Sequence, residues 1–367
     1  MKEKNKLLEK RNKMPYTDDE IRERLGKYGA VYLPSDIKET TDDILGNEEI
    51  KERLEDFFGA LKKYETIVEK LRNSKLTPNL TVLLYGPPGT GKTSLTRAFS
   101  KQFKVPICVV ESDRLVSPLL GDTIKNIRNV VELAADIASE NGSFLLFFDE
   151  IDAIGSERSN IHEVGEIKRA VISFLQVIDK VNYDAIPLAI FGATNHQQQL
   201  DSAIWRRFTF HLKFDFPDYN LRKLIIESFL NKMKEAQIGV DDSIINDLNK
   251  ELKLFQAISK DLNQKLGREI TEFDGNVFQK ELAEKGINGL LQLTIGYSGS
   301  DIERGTRVAL FKTFTTELLT YDIFYKSLKL VGGTAIHVGR QDFLSSSQPD
   351  INPTKDPRSN FSMPPEI

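Results

Sequence analysis

The sequence is poor in the residues that carry redox and metal chemistry. Its 367 residues include one cysteine, one tryptophan and four histidines. A single cysteine, Cys108, excludes an intrachain disulfide and a cysteine-based metal cluster, as is typical of a reducing compartment. The histidines, at positions 162, 196, 211 and 337, do not have the spacing of a zinc site.

Long apolar runs are also missing. The longest, FLLFF at 144–148, is far too short to cross a bilayer. The first residues, MKEKNKLLEKRNK, are charged throughout and contain no apolar segment of a signal peptide. A net charge of −4 disfavours a dedicated nucleic-acid surface. We therefore expect no membrane span, no nucleic-acid partner and a cytoplasmic location.

What the sequence does have is an alternation of short apolar runs with helical patterns. Runs at 81–85, 106–110, 143–148, 187–194 and 211–216 read as strands, and the first four are apolar almost throughout, as in strands covered on both faces. This alternation predicts an α/β fold with a doubly wound parallel sheet.

The pattern also suggests four regions along the chain. Residues 1–40 are polar and read as an N-terminal appendage, and the α/β domain spans 41–217. After Pro217 the strand signals stop, which predicts a smaller all-helical domain over 218–331 with an extra helical segment at about 241–288. The remaining 332–367 are rich in Ser, Pro, Gly and Asn and read as a flexible tail.

One motif sets the class of chemistry. The stretch LLYGPPGTGKTS contains G-x-x-x-x-G-K-[ST] directly after a predicted strand and before a predicted helix. Glycines let backbone N–H groups converge on a phosphate, and the helix N-terminus adds its positive dipole. The predicted nucleotide-binding residues are Gly86, Pro87, Pro88, Gly89, Thr90, Gly91, Lys92, Thr93 and Ser94. Lys92 is expected on the β- and γ-phosphates, and Thr93 on Mg²⁺.

A second motif, FLLFFDEIDAI, ends an apolar strand on two carboxylates. Ligands of open α/β sheets gather at this edge, so Asp149 is predicted to hold Mg²⁺ and Glu150 to activate an attacking water. Solvated loop acids are the alternative interpretation, but two carboxylates at a buried strand end are costly without a cation.

Together these motifs resemble the AAA+ ATPases, within them the group that includes katanin, spastin and the proteasomal and membrane-protease ATPases. The stretch FGATNHQQQLDSAIWRRF is similar to that group's second region of homology, and GYSGSDIERGTRVAL to its lid motif. The resemblance implies that Asn195 is a polar sensor near the γ-phosphate and that Gly299 and Ser300 border the nucleotide. DDILG at 42–46 matches the adenine-side segment loosely, with Asp43 and Ile44 as binding residues.

The resemblance also gives Arg206 and Arg207 a role. In this family, paired arginines project from one subunit toward the γ-phosphate of the next and act as arginine fingers. It therefore implies a homo-oligomer, expected to be a hexameric ring, with ATP and Mg²⁺ as cofactors.

One departure concerns the segment that lines the pore in this family. It usually carries an aromatic residue, but SPLLGDT has Leu119 at that position. Two functions therefore stay open. The first is a ring-forming ATPase that remodels or disassembles a protein substrate or complex, with a weak or specialised grip. The second is a nucleotide-dependent switch or scaffold that controls a partner effector such as a protease.

Overall fold

A six-stranded sheet forms the centre of the structure, a computed structural model that describes residues 15–71, 74, 76, 78–115, 122–155 and 161–334. The strands lie in the order β1-β3-β4-β5-β2-β6, and all neighbours are parallel except β1 and β3. Their bounds are β1 Gly29–Tyr32, β2 Thr81–Tyr85, β3 Ile107–Val110, β4 Phe144–Phe148, β5 Leu188–Thr194 and β6 Phe210–Lys213. The predicted doubly wound sheet is confirmed.

The apolar strands supply two cores, one on each face of the sheet. Successive side chains of a strand point to opposite faces. In β4, Phe144, Leu146 and Phe148 enter one core, whereas Leu145 and Phe147 enter the other. Because both faces are covered, the strand is apolar at every position, as the sequence indicated.

Helices cover both faces of this sheet. One face is packed by helices that include α1, α6 and α8, and the other by helices that include α2 and α4. Their bounds are α1 Asp18–Leu25, α2 Glu48–Lys62, α3 Tyr64–Leu71, α4 Lys92–Gln102, α5 Ser112–Leu115, α6 Asp122–Asn141, α7 Asp152–Gly155, α8 Ile161–Tyr183 and α9 Ser202–Arg207.

The assignment of residues 1–40 to an appendage is wrong for the part that the structure describes. Strand β1 pairs antiparallel with β3, from Gly29 opposite Val110 to Tyr32 opposite Ile107. Helix α1 buries Ile21 in the core beneath α6. The sequence signal was weak because β1 is short and begins with glycine, which is depleted in strands.

The region after Pro217 folds around its own apolar core. Its helices are α10 Tyr219–Glu235, α11 Ser243–Leu266, α12 Gly275–Glu284, α13 Leu290–Leu293, α14 Gly299–Thr316 and α15 Tyr321–Val331. Two two-residue strands, β7 Gly239–Val240 and β8 Leu318–Leu319, also pair there in parallel, so the region is not wholly helical. We call residues 218–331 the lid. None of the helices in the described ranges is long and apolar enough to cross a membrane.

Two buried carboxylates tie the predicted extra segment into the lid. Glu272 forms a bidentate ion pair with Arg222 on α10, with both N–O distances at 2.6 Å and both side chains at most 1% exposed. Glu251 on α11 accepts from the backbone N–H groups of Leu291 and Gln292, at the start of α13. The segment is therefore part of the lid core and not a surface addition.

Candidate functional site

The phosphate loop begins where β2 ends, in a position that only glycine fits. Gly86 has φ +135°, and a Cβ there would lie 2.0 Å from the carbonyl oxygen of Phe214. The Gly86 N–H donates to the carbonyl of Thr194 at the end of β5 over 3.3 Å. Two strand ends therefore fix the entry of the loop.

Lys92 lies at the centre of the site and is 7% exposed. Its Nζ donates three hydrogen bonds of 2.8 Å, to the carbonyls of Gly86 and Pro87 and to Oδ1 of Asn195. Burial lowers the pKa of Lys92 to about 8, although the negative charges of Asp149 and Asp152 act to raise it. An ammonium held only by neutral oxygens is poised to exchange them for an anion.

Thr93 and Asp149 meet beside this lysine. The Thr93 hydroxyl donates to Oδ2 of Asp149 over 3.2 Å, although 56 positions separate the two residues in sequence. Ser112 Oγ donates to the Asp149 carbonyl over 3.0 Å and fixes the backbone at the end of β4. A hydroxyl and a carboxylate at this edge are the oxygen ligands that Mg²⁺ prefers, so the residues present fit that ion.

Glu150 adopts a strained backbone with an exposed side chain. Its φ is +50°, which is unfavourable for a residue other than glycine. The Glu150 N–H donates to Oδ1 of Asp149 over 3.1 Å, and its carbonyl accepts from Ala153 over 2.8 Å. The backbone is thus held on both sides while the carboxylate faces solvent.

Sequence reasoning gave no role to Asp152, which is buried and lies next to the site. Its Oδ1 accepts from the Thr194 hydroxyl over 2.6 Å, and Thr194 Oγ1 in turn accepts from the His196 N–H over 3.0 Å. These two hydrogen bonds fix the chain on both sides of Asn195, which follows β5. The sequence signal that could have identified Asp152 is its place as the second aspartate of DEIDAI.

A cleft opens beside the phosphate loop, between the α/β domain and the lid. It encloses about 790 Å³, a volume that includes space open to solvent. The expected residues Asp43, Ile44, Gly299 and Ser300 all line it. Sequence reasoning missed the part of the lid side that comes from α10, namely Leu221, Ile225, Ser228, Phe229 and Lys232.

Polar contacts join the two walls of the cleft. The Ser300 N–H donates to the carbonyl of Gly89 over 3.2 Å, so the start of α14 rests on the phosphate loop. At the other end, Lys232 Nζ lies 3.8 Å from Oδ1 of Asp43. The Asp43 carboxylate also accepts from the Thr40 hydroxyl and N–H, which lower its pKa.

The paired arginines end the short helix α9, and neither hydrogen-bonds to residues 86–93 of its own chain. Trp205 anchors this helix by stacking on His211 with ring centroids 4.5 Å apart. Arg207 Nε lies 3.0 Å from Oδ1 of Asp179 on α8. Arg206 is exposed and pairs with no acid in the described ranges. Both arginines are thus exposed on a surface at the end of α9, and Arg207 is paired there with Asp179.

Parts of three predicted segments lie outside the described residues. They are 1–14 of the N-terminal segment, 116–121 with Leu119 in the predicted pore segment, and 335–367 of the tail. Within the described ranges, no group of three or more His, Cys, Asp or Glu side chains could hold a metal ion.

Comparison with known proteins gives a matching family. Residues 82–216 match the model of the family described as ATPase family associated with various cellular activities (AAA). The chain is 30% identical over 255 residues to a Methanothermobacter thermautotrophicus protein named as a homolog of a 26S proteasome regulatory subunit. That alignment covers 68% of this chain and 65% of the relative. The chain spans between about half and two thirds of the first curated relatives that it matches.

Two solved structures share the fold. One is the HORMA:CdnC:Trip13 complex of E. coli MS115-1, with a TM-score of 0.59, 18% identity, and coverage of 83% of this chain and 96% of that one. The other is the FIGL-1 AAA domain in complex with ADP, with a TM-score of 0.57, 21% identity, and coverage of 90% and 99%. With the match over 82–216 and the loop geometry above, residues 82–216 of this chain form an AAA ATPase domain.

Proposed function

We propose that this chain binds ATP in the cleft between the α/β domain and the lid and hydrolyses it to ADP and phosphate. The observation that carries the proposal is the buried ammonium of Lys92, held by three oxygens where the phosphate loop, Asp149 and Asn195 converge. A phosphate oxygen is a stronger partner for a desolvated cation than a neutral carbonyl is. The site is therefore suited to bind the phosphates of a nucleotide through this ammonium.

Each side chain at this edge has a distinct role in the proposal. Lys92 and the amides of the loop bind the phosphates, and the cleft holds the base against Ile44. Thr93 and Asp149 would hold Mg²⁺, which neutralises charge on the phosphates when it is bound. Glu150 accepts a proton from the attacking water, and Asn195 orients the reacting group.

Arg206 and Arg207 act on a neighbouring protomer. Both side chains are exposed at the end of α9, and neither reaches the phosphate loop of its own chain through a hydrogen bond. Fingers of this kind stabilise the charge that develops during phosphoryl transfer. A site completed by the next protomer requires a head-to-tail arrangement that closes into a ring, and we propose a hexamer.

Glu150→Gln tests the hydrolysis step, because glutamine keeps the shape of the side chain but cannot accept the proton. We expect ATP binding to persist and phosphate release to fall by about 10²- to 10⁴-fold, the usual contribution of a general base. Glu132→Gln, a change on the exposed surface of α6, is the matched control and should keep wild-type turnover. Wild-type turnover in Glu150→Gln would remove this residue from the mechanism.

Hydrolysis is proposed to drive the remodelling of a protein substrate or complex. The relative named after a proteasome regulatory subunit and the neighbour in a HORMA:CdnC:Trip13 complex both belong to protein assemblies by their names. The sequence SPLLGDT, without an aromatic residue, favours a limited grip on one partner over processive unfolding. The competing function is a nucleotide-dependent switch that controls an effector without threading it.

A folded fluorescent reporter with an unstructured tag separates these functions. Limited remodelling predicts little ATP-driven loss of fluorescence from such a reporter, whereas a processive threading motor would unfold it readily. Leu119→Asp places a charge in the grip and should abolish substrate-stimulated hydrolysis but keep basal hydrolysis. If Leu119→Asp leaves every partner-dependent activity unchanged, the switch function is the better interpretation.

A further inference from the structure

Residues 332–334, which the sequence predicted to be flexible, return to the start of α14. Asp301 is 3% exposed, and its Oδ2 accepts four hydrogen bonds. Two come from Thr334, through its N–H over 2.9 Å and its hydroxyl over 2.7 Å. The other two come from the N–H and the hydroxyl of Ser298, each at a distance of 2.9 Å. One carboxylate oxygen thus joins the end of the lid to the first turn of its central helix.

The close approach of this segment depends on Gly333. A Cβ at Gly333 would lie 2.4 Å and 2.7 Å from two ring carbons of Tyr297 and 3.2 Å from the carbonyl of Gly296. Tyr297 cannot easily give way, because it is 1% exposed and its hydroxyl donates to the carbonyl of Leu328 over 3.1 Å. The segment is therefore fitted to the lid and is not merely adjacent to it.

The same turn of α14 is the part of the lid that touches the phosphate loop. Ser298 and Asp301 form a capping box that fixes the N-terminus of α14. Between them, the Ser300 N–H donates to the carbonyl of Gly89. A Cβ on Gly89 would lie 2.5 Å from Ser298 Oγ and 3.0 Å from Ser300 Cβ. Whatever loosens the capping box also frees this edge of the lid from the loop.

We propose that residues 332–334 are a clasp that holds the first turn of α14 against the phosphate loop and thereby sets the affinity of the cleft for nucleotide. Thr334 is a positioning residue in this arrangement, since it acts through Asp301 and does not line the cleft. The effect on nucleotide affinity rests on the ATP binding proposed above. The effect on the lid does not, because the contact between Ser300 and Gly89 joins two parts of the chain itself.

Two variants of Thr334 test the clasp in the full chain. Thr334→Val removes the hydroxyl donor and keeps the shape, and Thr334→Ser keeps the donor. The Ser300 N–H lies in the first turn of α14, where no intrahelical acceptor exists, so its hydrogen exchange reports on the contact with Gly89. The matched control is Thr315→Val, an exposed threonine of α14 whose hydroxyl bonds only within its own helix.

In Thr334→Val we expect exchange over residues 298–302 to quicken by about tenfold, which corresponds to about 1.4 kcal/mol, near the low end for a hydrogen bond to a charged group. Calorimetric ATP affinity should fall by a similar factor, and KM should rise while kcat stays within about twofold of wild type. Thr334→Ser and Thr315→Val should behave as wild type.

Gly333→Ala provides a second route to the same result, because it displaces the segment without removing a donor. It should quicken exchange over 298–302 as Thr334→Val does. Unchanged exchange in both Thr334→Val and Gly333→Ala overturns the clasp, whatever ATP does. Equal losses in Thr334→Val and Thr334→Ser also overturn it, since the hydroxyl would then be irrelevant. If wild-type protein binds no ATP, the proposed function fails, while the exchange result still decides the clasp.

Discussion

The ammonium of Lys92 and the side-chain oxygen of Asn195 are joined by a hydrogen bond of 2.8 Å across 103 positions of sequence. The contact links the helix that follows the phosphate loop to the end of β5. It restricts the side chain of Lys92 from within the chain, which lowers the entropic cost of ordering this side chain on a ligand. It also keeps this cation in a buried setting, with a consequence for pH dependence.

We expect ATP affinity to fall as pH rises above about 8. Burial lowers the pKa of Lys92 from 10.5 to about 8, whereas bound phosphates favour its charged form. Above pH 8 the nucleotide-free lysine loses its proton, and binding must restore it. Affinity measured by calorimetry should therefore decrease by up to about tenfold per pH unit above 8. Proton uptake on binding should appear as a dependence on buffer ionisation enthalpy.

Lys92→Arg is the control for this pH dependence. Arginine keeps its charge throughout the range, so the decrease above pH 8 should vanish even if overall affinity is lower. The stability of the nucleotide-free protein changes with pH in the opposite direction to ATP affinity. The unfolded chain binds more protons than the folded chain between pH 8 and 10.5, so this residue makes stability rise with pH in that window. If the decrease in affinity above pH 8 persists in Lys92→Arg, another titrating group causes it.

The arginine pair predicts complementation between inactive subunits. Arg206→Ala should leave ATP binding intact and lower turnover by about 10³-fold, as for other arginine fingers. Lys92→Ala should weaken ATP binding. In a mixture, an Arg206→Ala subunit offers an intact phosphate loop, and a Lys92→Ala subunit offers the missing arginine, so mixed rings should regain part of the activity.

Arg53→Ala, on the exposed face of α2, is the matched control for the arginine change. It should have wild-type turnover and gain nothing from mixing. Asp179→Asn reports on the second arginine, because Asp179 contacts Arg207 and lies half-exposed on α8. The absence of complementation, together with turnover that is independent of protein concentration, would contradict a shared site.

The buried pair between Arg222 and Glu272 predicts a large stability effect within the lid. Glu272→Ala leaves an unpaired guanidinium in the core, which should lower the free energy of unfolding by about 3–5 kcal/mol. Urea denaturation followed by circular dichroism measures the change. The control is Asp322→Ala, which breaks an exposed pair with Lys326 on α15 and should cost at most about 0.5 kcal/mol.

A double replacement tests whether charge itself is needed. Arg222→Met with Glu272→Leu removes both charges, so the loss should be much smaller than that of Glu272→Ala alone. A double variant as unstable as the single one would mean that the hydrogen bonds from Arg222 to Thr294 and Leu291 carry the effect instead.

Gly86→Ala should damage the phosphate loop through its backbone. The added Cβ would lie 2.0 Å from the carbonyl oxygen of Phe214, and the φ of +135° is unfavourable for alanine. We expect loss of ATP binding in equilibrium titration and a lower melting temperature. Gly59→Ala on α2 is the matched control, because no atom lies within 4 Å of its new Cβ. It should raise stability by about 0.5–1 kcal/mol.

The α/β half of the fold follows from sequence because its signals are local. A strand such as β4 is apolar at every position, and parallel strands end at a common edge, so Lys92 and Asp149 were expected near each other. The helices of the lid were expected, but its internal packing could not be predicted because the decisive contacts join residues far apart in sequence. Arg222 and Glu272 are 50 positions apart, and each resembles an ordinary surface charge until the fold buries it.

Position in the sequence was also misleading at both ends of the described chain. Residues 332–334 have the composition of a loose terminus, but hydrogen bonds to Asp301 and the packing of Gly333 on Tyr297 hold them on the lid. At the other end, β1 has too few residues for a strong pattern, and its pairing with β3 decides its place. The salt contact between Asp179 and Arg207 likewise has no local signature.

The placement of β1 has a consequence for biosynthesis. Its pairing partner, β3, begins at Ile107, so a nascent chain must be extended well past the phosphate loop before Gly29 can meet Val110. Such a non-local pairing closes late, since the connecting chain must be ordered first. The stretch between them also supplies Asp43 and Ile44 to the cleft. On the ribosome, β1 therefore has no partner in the sheet until β3 has emerged.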